Sequence, residues 1–274
     1  MKSKEGGTYI VTGATGGIGK ALVAGLVTRK VDRIVLACRN VMRAEEIVGA
    51  YRNVTTELCV IELDLESFES VRRFASEIQS NRYRLNGLIN NAGTMPGRVR
   101  ITQDGYESAT QTNFLSTMLL TELLVPFFDR NSSVVFTTSM TRRLASFHDN
   151  WDEISRCHHN RFVTYGRSKK MLTAYAAMLS ENLKSKGINV NCSDPWIVDS
   201  GIISMGNKVI DAMSSALFRP LIYTPVQGAQ SAFNALDSKE TGLIFTRHKS
   251  KPIPYEYSEE NVRKIIKKAI FDLS

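Results

Sequence analysis

Tyr165 and Lys169 stand four residues apart in Tyr165-Gly166-Arg167-Ser168-Lys169, within a run whose pattern predicts a helix over 165–184. Residues at i and i+4 share one helix face, so the ammonium reaches the phenol side of any site the pair borders. A free phenol has a pKa of about 10 and is a poor base at neutral pH. A neighbouring cation favours the phenolate, and a phenol lowered in this way can serve as general acid and base. Tyr–Lys pairs at this spacing also arise by chance in many helices, so the meaning of this one depends on its company.

The second feature is Thr12-Gly13-Ala14-Thr15-Gly16-Gly17-Ile18-Gly19, which follows an apolar strand and opens a helix. Gly13, Gly16, Gly17 and Gly19 let the backbone turn tightly and let a pyrophosphate approach the N–H groups of a helix N-terminus, with Thr15 and Ile18 beside it. The spacing fits both Gly-x-x-x-Gly-x-Gly and Gly-x-x-Gly-x-x-Gly. The next strand ends Ala37-Cys38-Arg39-Asn40. An acidic residue there would hold the adenosine ribose and repel a 2′-phosphate. Arg39 instead offers a charge-assisted contact to phosphate, with Asn40 next to it, which favours NADP(H) over NAD(H).

These groups need a scaffold. Strand-like runs at 8–12, 33–38, 58–63, 85–89, 133–138, 188–192 and 243–246 alternate with helical patterns at 17–30, around 43–46, from Ser67, at 106–128 (stopped near Pro126) and at 165–184. Apolar, β-branched, unalternated strands suit a parallel sheet buried on both faces. Strand–helix alternation then gives an α/β, Rossmann-type, doubly wound parallel sheet of about seven strands in a single domain over 1–274. Two stretches break the rhythm. One is 141–164, with Trp151 and three histidines; the other is an apolar segment at about 200–225, read as a variable substrate loop. Both emerge where such sheets bind ligands.

The chain has 274 residues and a formal charge of +8, from 35 Lys and Arg against 27 Asp and Glu. The basic residues are scattered without an aromatic-interleaved stripe, so nucleic-acid binding rests on net charge alone. Lys264, Lys267 and Lys268 read as a solvent face of a terminal helix. The cysteines (38, 59, 157, 192) form no Cys-x-x-Cys pair and the histidines no His-x-x-x-His pair, so no metal site is expected. No run reaches the roughly 20 apolar residues of a membrane span. Met1-Lys2-Ser3-Lys4-Glu5 enters a strand without a signal-peptide core, and the expected location is the cytoplasm.

Taken together, these residues resemble the short-chain dehydrogenase/reductase family in its compact single-domain form. The likeness runs from Thr8 to about Leu243, with motifs in family order: the Gly loop, Asp64-Leu65, Asn90-Asn91-Ala92-Gly93, Asn113, Ser139 and Tyr165 with Lys169. The Asn-Asn-Ala-Gly run favours this form over the extended sugar-nucleotide epimerases. The resemblance implies that Tyr165 exchanges the proton of the substrate oxygen and that Ser139 hydrogen-bonds it. It also implies that Lys169 binds the nicotinamide ribose and lowers the Tyr165 pKa, and that Asn113 holds a relay water. Asp64 and Leu65 would lie at the adenine, Asn91, Ala92 and Gly93 along the cofactor channel, and Pro195, Val198 and Ser200 near the nicotinamide. The Ser139–Tyr165 gap and Ala-Cys-Arg-Asn are similar to the retinol dehydrogenase and protochlorophyllide reductase-like branch. That branch implies NADP(H), lipophilic carbonyl or alcohol substrates and carbonyl reduction; the family also implies a homodimer or homotetramer through the helices at 106–128 and 165–184.

One departure stands out. Trp196 follows Pro195 where the family usually has Gly, which puts the shape of the nicotinamide pocket in question. A non-catalytic dinucleotide-binding regulator of the same fold is the alternative function.

Overall fold

The computed structural model describes residues 7–145, 160–198 and 223–273. Its first half repeats one unit, a buried strand followed by a covering helix. β1 (Thr8–Thr12) leads to α1 (Gly17–Thr28), β2 (Arg33–Cys38) to α2 (Val41–Ala50), and β3 (Glu57–Glu62) to α3 (Phe68–Ser80). Each helix start has a local cause. Asn40 accepts from the Arg43 N–H to cap α2, and Ser67 accepts from Ser70 to cap α3. On α3, Val71, Phe74, Ala75 and Ile78 recur at helical spacing and all point inward.

β4 (Leu85–Asn90) precedes a long helix, α4, built from Ser108–Thr110, a π turn at Gln111–Leu115, and Ser116–Leu124. β5 (Phe128–Thr137) follows, then a 3-10 turn at Met140–Leu144 and α5 (Arg161–Lys184). β6 (Asn189–Ser193), α6 (Pro225–Asp237), β7 (Leu243–Phe245), β8 (Ser250–Pro252) and α7 (Glu260–Leu273) complete the order. Thr224 and Gln227 form a reciprocal capping box at the start of α6, with Pro225 in its first turn.

The strands form one sheet in the order β3-β2-β1-β4-β5-β6-β7-β8, parallel except for the last pair. The direction of progression reverses between β1 and β4, which is where a doubly wound sheet opens a crevice. One core, with Leu22, Leu26, Ala232 and Phe233, packs α1 and α6 on one face. The other joins Val71, Phe74, Phe114, Met118, Met171 and Leu172 with Val262, Ile265 and Ile266 of α7. Lys264, Lys267 and Lys268 are exposed on that last helix, as expected.

The doubly wound reading is borne out, with differences of detail. The sheet has eight strands rather than about seven, because β8 is short, polar and exposed and has no apolar signature. β5 begins at Phe128, before the expected 133. α5 begins at Arg161, capped by Asn160, so Tyr165 lies one turn inside the helix rather than at its start. Most of the apolar segment at 200–225, with Ser200, and most of 141–164 lie outside the described residues. Among the described residues no helix is long and apolar enough to cross a membrane, and no cluster of His, Cys, Asp or Glu could hold a metal.

Candidate active site

A cleft of about 890 Å³ runs along the carboxyl ends of the central strands. Its wall includes Gly13, Thr15, Gly16, Gly17, Ile18 and Gly19 after β1, Arg39 and Asn40 after β2, and Asp64 and Leu65 after β3. Asn91, Ala92 and Gly93 follow β4, Ser139 follows β5, Tyr165 and Lys169 come from α5, and Pro195 and Val198 follow β6. Asn113 sits directly behind the wall and is fully buried.

The glycine loop is shaped by close approach. Gly13 adopts φ +65°, and a Cβ on it would meet the Ala92 backbone at 3.0 Å. A Cβ on Gly19 would lie 2.1 Å from the Gly13 carbonyl oxygen. Asn91 ties the loop down, its Nδ2 donating to the Thr12 carbonyl at 2.9 Å, while Thr12 Oγ1 accepts from the Asn91 and Ala92 N–H groups, each at 3.0 Å. Gly16 is the N-cap of α1 and supplies no side-chain acceptor to the first-turn amides. A bare helix N-terminus at the end of a side-chain-free loop suits the pyrophosphate of a dinucleotide.

Beyond it, the cleft is lined by Arg39, Arg43 and Arg100 against Glu66 alone on the acidic side after Asp64. Glu66 contacts Arg100 and accepts from Ser108 Oγ at 2.7 Å, while Arg39 lies 3.9 Å from it and is two-thirds exposed. Asp64 accepts from the Glu66 N–H and shapes the loop after β3.

At the other end, Tyr165 and Ser139 both line the cleft, and the Ser139 hydroxyl acts on the Tyr165 phenol. Ser139 Oγ also accepts from Thr141 Oγ1 at 3.0 Å, at the head of the 3-10 turn. Lys169 is buried, with Nζ donating to the Thr137 carbonyl at 2.8 Å and lying 5.7 Å from the centre of the Tyr165 ring. Asn113, in the π turn, donates to the Thr94 carbonyl at 2.9 Å and to Ser168 Oγ at 3.0 Å, and accepts from the Thr94 N–H at 2.7 Å. Its amide therefore joins α4, α5 and the segment after β4.

The electrostatics of the protein alone depart from one expectation. Burial pushes the Tyr165 phenol up to about 12, with the Ser139 hydrogen bond pulling the other way and the Asp194 carboxylate adding to the rise. Lys169, bound to the Thr137 carbonyl and 5.7 Å from the ring centre, is not among the causes of that shift. Burial also lowers Lys169 itself to about 8, opposed by Cys192 and Asp194.

The sequence singles out Trp196 but leaves several other lining residues unmarked. Arg43 follows Asn40 by three residues and could have been flagged from helical spacing. Met140, Leu144, Phe162, Trp196 and Ile197 are exposed apolar side chains gathered on the reactive end of the cleft. Trp196 takes φ +65°, so the left-handed turn usually given to Gly is kept with a bulky side chain on it. Arg142 and Asp194 form a buried ion pair at 2.7 Å directly behind Ser139.

Comparison with known proteins agrees with this geometry. The family model described as short chain dehydrogenase matches residues 8–208. The chain belongs to the short chain dehydrogenase family. It is 31% identical to human retinol dehydrogenase 14 over 267 residues, covering 89% of this chain and 78% of that protein. It is also 31% identical to mouse polyprenol dehydrogenase over 250 residues, covering 88% of this chain and 74% of that protein. A short chain dehydrogenase from Burkholderia cenocepacia, solved in complex with NADP, shares the fold with a TM-score of 0.71 at 20% identity, over 88% of this chain and 96% of that one. The expected kinship with the retinol dehydrogenase-like branch holds. As a member of the family, this chain is an oxidoreductase that uses a nicotinamide cofactor.

Proposed function

We propose that this short chain dehydrogenase uses NADP(H) to interconvert a lipophilic carbonyl compound and its alcohol, with Tyr165 as the acid and base. One observation carries the reading. Tyr165 and Ser139, whose hydroxyl acts on the phenol, and the Arg39-bearing strand end line one cleft together with the glycine loop. When bound, the nicotinamide supplies or accepts the hydride.

The chain's own residues do the rest. In reduction, the Ser139 hydroxyl orients the substrate oxygen and Tyr165 donates its proton there; a phenol held near 12 is fully protonated at neutral pH and ready for that role. In oxidation, Tyr165 must first lose that proton, and the Ser139 hydroxyl, which lowers its pKa against the rise from burial, favours the loss. Gly93 leaves room beside Lys169, since a Cβ there would sit 3.2 Å from Nζ. Asn113 positions α5 through Ser168, and a water on it would connect Lys169 to the interior. Arg39, with Arg43 nearby, would hold the 2′-phosphate, while Asp64 and Leu65 flank the adenine. The apolar side chains of Met140, Leu144, Phe162, Trp196 and Ile197 favour a greasy substrate and exclude water from the reacting oxygen. The names of the retinol and polyprenol dehydrogenase relatives support that substrate class.

Fluorescence titration with NADPH and NADH, followed by turnover on a panel of long-chain and isoprenoid aldehydes, tests the proposal. Micromolar binding with an NADPH preference and turnover that rises with chain length is the expected result. Equal or NADH-biased binding would overturn the cofactor assignment, and turnover confined to small polar carbonyls would overturn the substrate class.

A further inference from the structure

Behind the reactive end of the cleft lies a charged unit that the reaction itself does not require. Arg142 and Asp194 are 3% and 5% exposed and meet at 2.7 Å. The same Arg142 Nη1 donates to the Ser139 carbonyl oxygen at 2.6 Å, and the Arg142 N–H reaches that oxygen at 3.2 Å. On the other side, Asp194 Oδ1 accepts from the Trp196 N–H at 3.3 Å, and the Asp194 N–H donates to the Phe245 carbonyl at 2.8 Å. One guanidinium and one carboxylate thus connect Ser139, two residues past β5, to the turn after β6, which the Asp194 main chain ties to the end of β7.

We propose that Arg142 and Asp194 are positioning residues that lock the Ser139 backbone to the Trp196 turn. They make the hydrogen-bonding serine and the aromatic wall of the cleft one rigid piece. The inference rests on the reading of Ser139 and Tyr165 as the reacting centre. A buried ion pair is weak evidence for stability, because an apolar pair of similar size often serves the fold as well. What an apolar pair cannot do is accept from the Trp196 amide or donate to the Ser139 carbonyl. Trp196 stands in a left-handed conformation that a side chain of its size adopts only when its surroundings hold it. The Asp194 carboxylate supplies one of those restraints, and it is itself fixed by Arg142. Both acceptors are met by the one Nη1, whose two N–H groups are fixed in the guanidinium plane, whereas a lysine ammonium on its flexible stem would meet them in less fixed geometry.

The test separates fold from position. Arg142→Met, Asp194→Asn and the double variant Arg142→Met/Asp194→Leu are compared with the wild type. The readouts are thermal midpoint, NADPH affinity by fluorescence, and kcat and KM on a long-chain aldehyde. The expected outcome is a Met single variant of lowered midpoint and a double variant whose midpoint returns to within a few degrees of wild type. NADPH affinity stays within threefold, yet kcat of the double variant remains at least tenfold down and KM for the bulky aldehyde rises. Arg142→Lys should recover part of the loss in kcat. A double variant with wild-type kcat and KM would overturn the proposal. Should the double variant not fold, the near-isosteric Asp194→Asn decides: a kcat reduced about fivefold or more upholds the proposal, and an unchanged kcat and KM overturns it. Full turnover by Tyr165→Phe would instead sink the underlying reading of the reacting centre, whatever the Arg142 variants do.

Discussion

The Lys169 ammonium nitrogen lies 2.8 Å from the carbonyl oxygen of Thr137, the residue that ends β5 two positions before Ser139. The lysine is thereby anchored to the strand that delivers the serine, and it holds a charge in the interior at a cost. Folding lowers its pKa from 10.5 to about 8, so between those values the unfolded chain binds the extra proton. Stability from this group therefore rises with pH across that window and is lowest below about pH 8. Lys169→Met should raise unfolding stability at pH 7 by about 1–3 kcal/mol while removing activity. Denaturant midpoints of both proteins at pH 7, 8, 9 and 10 check it: the gap should narrow as pH rises. A gap that widens would contradict the assignment.

Tyr165→Phe keeps the ring and removes the hydroxyl proposed to carry the proton. Turnover should fall by about 10²–10⁴-fold, the usual contribution of a positioned acid or base, with NADPH affinity nearly unchanged. Single-turnover kinetics beside a fluorescence titration will separate the two effects.

Among the described residues, Arg39 has no ionic partner closer than Glu66 at 3.9 Å, which leaves its guanidinium able to turn to a phosphate. Arg39→Asp should shift the ratio of kcat/KM for NADPH over NADH by at least tenfold toward NADH. Arg43→Ala should shift it less and in the same direction, because Arg43 lines the same end of the cleft from the first turn of α2. Unchanged ratios in both would remove the arginines from cofactor choice.

Trp196 at φ +65° makes a stability test as well as a specificity test. Trp196→Gly relieves the left-handed strain and adds freedom to the unfolded chain, two effects of about 1 kcal/mol each that oppose one another. The melting temperature should change little. Trp196→Val, β-branched at the same φ, should lose about 1–2 kcal/mol. The Gly variant should also discriminate less between long and short aldehydes.

The sheet and its crevice were legible because they rest on local signals: β-branched runs, glycines at a strand–helix joint, a Tyr–Lys pair at helical spacing. The π turn through Asn113 was not legible, because one extra residue in a helical ladder leaves the hydrophobic pattern almost unchanged. Nor was the Arg142–Asp194 pair, whose partners are 52 residues apart and meet because β5 and β6 are neighbours. Nor was the net rise of the Tyr165 pKa legible. Spacing places a cation near a phenol, but only the fold shows that this cation is bound to a main-chain carbonyl and that burial outweighs the help of Ser139.

The last helix, α7, lies across α5 and touches α4, burying Val262, Ile265, Ile266, Ala269 and Leu273 in the same core as Met171 and Leu172. Those are the two helices through which assembly was expected. A sister chain using those helices would have to meet them where α7 does not. Part of the support of the Tyr165 helix is therefore drawn from α7 itself, and that part does not weaken when the protein is diluted.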